Sequence, residues 1–121
     1  MANKPYRHYS REQIFELLKH NCNESGMQDY VYKCKVAAFD PRWDPSQYDG
    51  CTGVGDPLHP FPPCFIHDWE WTVNGGGKQS DRNFLKDCMK FGLISKKRAR
   101  RWYLGIRIAW IFYYKWLKML S

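Results

Sequence analysis

His67 and Asp68 are adjacent, and their chemistry is complementary: an imidazole that can take a proton from water and a carboxylate that can hold a hard cation. Neighbouring residues on a helix point about 100° apart and do not face each other. Asp68 therefore cannot orient the ring beside it, but the two side chains can flank one cleft, with the base on one wall and a metal ligand on the other. A histidine acting as general base also needs a second carboxylate on its far ring nitrogen. Asp81 and Asp87 are the candidates.

A glycine-rich string lies upstream, Asp49-Gly50-Cys51-Thr52-Gly53-Val54-Gly55-Asp56-Pro57. Alternating glycines allow a tight loop to aim backbone carbonyls at one point, and carbonyls with one or two carboxylates are the oxygen set that calcium takes. An ordinary Gly-rich turn fits the same string. A phosphate cradle fits it less well, because no GKT or GKS ending follows. A zinc site could be drawn from Cys51, His59, Cys64 and His67, yet it would leave Asp49 and Asp68 unused. An HD-type phosphohydrolase needs more metal-binding histidines than His8, His20 and His59 supply.

The elements that must position these residues are mainly helical and fit one domain over residues 1–121. Ser10 and Gln13 form a capping-box pattern, and Ile14, Phe15, Leu17 and Leu18 recur at helical spacing, which predicts an N-terminal helix over 10–20. Residues 27–63 hold six prolines and several glycines, and sustained periodicity is missing apart from a short run around Tyr30 to Ala38. This stretch reads as a long shaped loop, the kind of segment that is usually functional or braced. Pro62-Pro63 can open a helix running to about Asn74, where Gly75-Gly76-Gly77 stops it. Ser80 can cap a second helix carrying Phe84, Leu85, Cys88 and Met89 on one face, so residues 62–92 should form an antiparallel hairpin. Ser95 can cap a last helix over 95–121.

Asp49-Gly50-Cys51, then Cys64-Phe65-Ile66-His67-Asp68, then Asp81-Arg82-Asn83-Phe84 together resemble the phospholipase A2 superfamily, especially its small bacterial, fungal and viral branches. The second half is also similar to small phage-encoded proteins. The likeness covers roughly residues 39 to 91. It implies a phospholipase A2-like helix hairpin with a calcium-loop segment, and a calcium-dependent hydrolysis of a phospholipid acyl ester. It makes His67 the base that activates water, Asp81 its orienting partner and Asp68 a calcium ligand. The remaining ligands would be Asp49 and the carbonyl of Gly50, or the carbonyls of Cys51, Gly53 and Gly55. It also implies a disulfide between Cys51 and Cys64. A catalytically inactive relative, a virion or phage module that binds a membrane or protein, is the alternative.

Charge separates the body from the tail. The chain carries a formal net +7, but residues 1–95 hold 11 basic and 12 acidic side chains, whereas residues 96–121 hold eight basic and none acidic. Lys96, Lys97, Arg98, Arg100 and Arg101, followed by Trp102, Trp110 and Trp116, suit a helix lying on an anionic phospholipid surface. The tail's apolar excess argues against nucleic acid and leaves a face for a protein partner or a second copy. Met1 to Ser10 is polar and lacks the apolar run of a secretory signal. The longest apolar run, Ile108 to Tyr114, falls short of the roughly 18 residues of a spanning helix. The expected location is peripheral to a membrane, with virion association or release by another route.

Overall fold

The computed structural model describes residues 6–48, 60–75, 77–91 and 95–120, the side chains of 96, 109, 110 and 112–120 excepted. Five α-helices, two short 3-10 turns and no strand make up these described residues. Ser10 accepts from the Gln13 backbone N–H and Gln13 returns a bond to Ser10, so the capping box starts α1 (Arg11–Glu24) as its residues dictate. The helix continues beyond His20 because Asn21 and Cys22 are buried, and Asn21 Nδ2 donates to the Pro60 carbonyl at 2.7 Å. Gly26, at φ +69°, supplies the left-handed residue just past its end.

Within the expected 27–63 loop the short periodic run around Tyr30 to Ala38 forms a second helix, while residues 49–59 lie outside the described ones. Gln28–Tyr30 is a 3-10 turn that leads into α2 (Val31–Ala38), and a further 3-10 turn covers Pro45–Gln47. Cys34, Ala37 and Ala38 of α2 are buried at helical spacing, and Cys34 faces α1, where its sulfur lies 3.8 Å from that of Cys22. Arg11, on α1, donates to the carbonyls of Ala38, Asp40 and Trp43 at 2.8 to 3.0 Å, satisfying backbone acceptors at and past the end of α2. Trp69 then donates its indole N–H to Asp40 Oδ2 at 2.8 Å, fixing the central helix to this corner. The paired side-chain and backbone donors of Arg42, with Trp69, hold the Asp40 carboxyl below its ordinary range against the cost of burial.

Pro62 starts α3 (Pro62–Asn74), where a missing N–H costs nothing, and Gly75 ends it at φ +75°. After the turn, α4 (Lys78–Phe91) begins two residues before the expected Ser80 cap, with the Asp81 N–H bonded to the Gly77 carbonyl at 3.0 Å. Trp71 and His67 both reach Asp81, and His67 also meets Phe84, so α3 and α4 run antiparallel. Ser95 Oγ accepts from the Arg98 N–H at the start of α5 (Lys96–Leu120), which packs along α4. Among the described residues no helix is long and apolar enough to cross a membrane.

An aromatic core joins these helices. Phe61 meets Phe91 and Trp102 edge-on, Phe65 meets Trp43 and Tyr48, and Phe84 stacks on Trp102. Trp102 was expected at a lipid surface, but it is only 8% exposed and belongs to this core. Its apolar area is covered by Phe61, just ahead of α3, and by Phe84 of α4, which leaves little of it for a membrane.

Tyr30 ties the 3-10 turn to α4 by donating its hydroxyl to Asp87 Oδ2 at 2.7 Å. Burial, with the Asp87 charge next, pushes the phenol well above its ordinary value of 10. The folded state therefore holds this proton more tightly than the unfolded chain. Its stabilisation is complete below pH 10 and is lost as pH rises toward the folded value. Tyr30→Phe is expected to cost about 2 kcal/mol at neutral pH, since it removes a donor from a half-buried carboxylate. Urea titrations above pH 10 should show wild type losing stability more steeply than Tyr30→Phe, and parallel curves would refute the assignment.

Candidate functional site

His67 lies on α3, two turns before the glycine turn, and Asp81 is the fourth residue of α4. The early start of α4 carries Asp81 one turn into the helix, within reach of the ring. His67 Nε2 and Asp81 Oδ1 are 2.7 Å apart, with the His67 side chain 11% exposed and the Asp81 side chain fully buried. The imidazole is walled by Phe84, with ring centroids at 4.9 Å, and by Trp71 at 5.6 Å. Of the two carboxylates proposed to orient the base, the fold brings Asp81 to the ring and leaves Asp87 with Tyr30.

Three donors converge on Asp81. His67 and the Trp71 indole N–H, at 3.2 Å, meet Oδ1, and Arg107 Nη1 donates to Oδ2 at 2.8 Å. Burial raises the carboxyl pKa, but the bonds from His67, Arg107 and Trp71 outweigh it and hold the group below its ordinary value. An ionised carboxylate only accepts, so His67 must carry its proton on Nε2. In the neutral ring Nδ1 is then the acceptor, which is the orientation that a water-activating base requires.

Asp68, next to His67 on α3, is half-buried, and its carbonyl accepts from the Thr72 hydroxyl at 2.8 Å. It is the one member of the expected calcium set that lies among the described residues. Its hard anionic oxygen suits calcium. Asp49, Gly50, Cys51, Gly53 and Gly55 lie outside the described residues, and among those described no group of three His, Cys, Asp or Glu side chains could hold a metal. Cys64 is disulfide-bonded, whereas Cys22, Cys34 and Cys88 are free thiols; Cys51, the expected other half of that bridge, is outside the described residues. A disulfide sulfur is no thiolate, so the zinc alternative loses one of its four ligands.

On α5, Lys97, Arg98, Arg100 and Arg101 are exposed, while the side chains of Lys96, Trp110 and Trp116 lie outside those described. Among the described side chains of α5, Leu104, Ile108 and Ile111 are the exposed large apolar ones, 60%, 48% and 41% exposed and spaced to share one face. In the sequence Arg107 is only one of the eight basic side chains of residues 96–121. The signal for its position was available in Asp81, an acidic residue on a stripe that must be buried and that needs a cation from some other element. The chain matches no protein-family profile, no curated protein and no solved structure.

Proposed function

We propose that the protein is a calcium-dependent, phospholipase A2-like hydrolase that cleaves a phospholipid acyl ester at a membrane surface. The observation that carries this reading is the His67–Asp81 pair, a buried, ionised carboxylate 2.7 Å from the imidazole. The antiparallel packing of α3 and α4 around that pair, and Asp68 beside it, agree with the motif order of that superfamily.

Asp81 anchors Nε2, so His67 Nδ1 takes a proton from water as the water oxygen adds to the ester carbon. The same proton passes to the departing glycerol oxygen when the acyl C–O bond breaks, and no acyl-enzyme forms. Asp68, with Asp49 and the Gly50 carbonyl or with the carbonyls of Cys51, Gly53 and Gly55, would hold calcium, which when bound polarises the ester carbonyl. Phe84 and Trp71 pack against the ring and help to keep it from solvent.

Docking rests on α5. Leu104, Ile108 and Ile111 would enter the lipid interface while Lys97, Arg100 and Arg101 meet anionic headgroups. The protein is thus peripheral to the membrane, as a free enzyme or a virion or phage component.

Fatty-acid release from anionic phospholipid vesicles, with calcium and with a chelator, tests the reading. His67→Asn is expected to reduce turnover by about a hundredfold or more, the usual worth of a positioned general base. If wild type shows no turnover above His67→Asn with any divalent cation yet still binds the vesicles, the chain is a noncatalytic docking module.

A further inference from the structure

Among the described side chains of α5, Arg107 reaches the dyad, 26 positions from Asp81 in sequence. A buried carboxylate offers two oxygens, and one donor cannot settle which of them serves the imidazole. Here the assignment is divided: Oδ2 takes the guanidinium at 2.8 Å, and Oδ1 takes His67 Nε2 at 2.7 Å. The Arg107 side chain is only 18% exposed, so its charge is held largely away from water.

Its place on the helix links two surfaces. Trp102 and Ile106 face the core, Leu104, Ile108 and Ile111 face outward, and at about 100° per residue Arg107 falls on the border between the two faces. The helix assigned to lipid docking therefore also completes the hydrogen bonds of the dyad.

We propose that Arg107 is a positioning residue of the dyad: by holding Asp81 Oδ2 it keeps Oδ1 on His67 Nε2 and ties α5 to the site. Its catalytic consequence rests on the hydrolase reading above, whereas its structural consequence does not. A guanidinium serving only as a counter-charge would affect stability and leave the ring hydrogen bond alone. A positioning guanidinium governs that bond.

The test reads the His67 Nε2 proton by nitrogen-15 and proton NMR in the full-length chain, at mildly alkaline pH. In wild type this proton should exchange slowly with water. Arg107→Met is expected to speed its exchange by about tenfold or more, while Arg107→Lys retains most of the protection. Wild-type exchange rates in Arg107→Met would overturn the proposal. Should Arg107→Met fail to fold, the wild-type chain decides, because a clamped guanidinium rotates slowly and a freely rotating one would also overturn it. On anionic vesicles with calcium, Arg107→Met should lower kcat by about tenfold to a hundredfold with KM little changed. Should wild type prove inactive there, the hydrolase reading falls, and the ring proton still decides the role of Arg107.

Discussion

Asp81→Asn is expected to destabilise the fold by about 3 kcal/mol and to remove any activity that depends on His67. Asp81 is fully buried and accepts from His67, Trp71 and Arg107. An amide has one acceptor oxygen and two donor hydrogens, so at least one of these donors must face another donor. The largest loss is at Arg107, whose largely buried charge would lose the Asp81 carboxylate that it faces. Removing one partner of a buried pair typically costs about 3–5 kcal/mol, and the partial exposure of Arg107 places this case at the low end. The pH dependence has a definite sign. The folded carboxyl titrates below the ordinary 3.8, so its contribution is complete above that value and is lost as pH falls toward the folded one. Urea unfolding from pH 7 downward should show wild type losing stability below about pH 4, with Asp81→Asn lacking this part of the acid limb. The double variant Asp81→Leu with Arg107→Met should recover much of the loss at neutral pH, because an apolar pair leaves no charge unmatched. A single-variant cost below about 0.5 kcal/mol would mean that the pair contributes nothing.

What could be read in the sequence was what depends on neighbours along the chain. Ser10 with Gln13, Pro62 at a helix start and Gly75 at a helix end act within one turn, and each stands where its spacing predicts. Asp81 and Asp87 were both credible partners for His67, because either can face an opposing helix. The choice fell to where α4 begins and to Tyr30, which occupies Asp87 from a different element. The helix within the proline-rich segment showed only as a short periodic run around Tyr30 to Ala38, because its end is satisfied from α1, by Arg11 reaching carbonyls from 27 to 32 residues away. Arg107 was obscured for a similar reason. Among so many tail cations nothing local distinguishes the one that turns inward, and only the buried carboxylate on α4 singles it out.

Trp102 gives the sharpest contrast between the tail as a lipid anchor and the tail as part of the body. Its indole stacks on Phe84 at 6.2 Å and 14° and meets Phe61 edge-on, with the Arg98 guanidinium over its ring at 5.2 Å. Phe84 in turn walls His67. Truncation to alanine should therefore open a cavity beside the dyad and cost about 3–5 kcal/mol, the range for removing a large aromatic side chain from a core. The damage should extend further, since α5 is the element that delivers Arg107 to Asp81. In Trp102→Ala the slow exchange of the His67 ring proton should be lost even where the chain remains folded. Ile108→Ser changes a residue six positions along the same helix, on the exposed side. It is expected to leave stability within about 0.5 kcal/mol of wild type while weakening binding to anionic vesicles. The two variants thus divide one helix into a face that holds the site together and a face that meets a surface. The reverse result, a stable Trp102→Ala that fails to bind vesicles and an unstable Ile108→Ser, would mean that α5 is rotated from the position described and that Arg107 cannot reach the dyad.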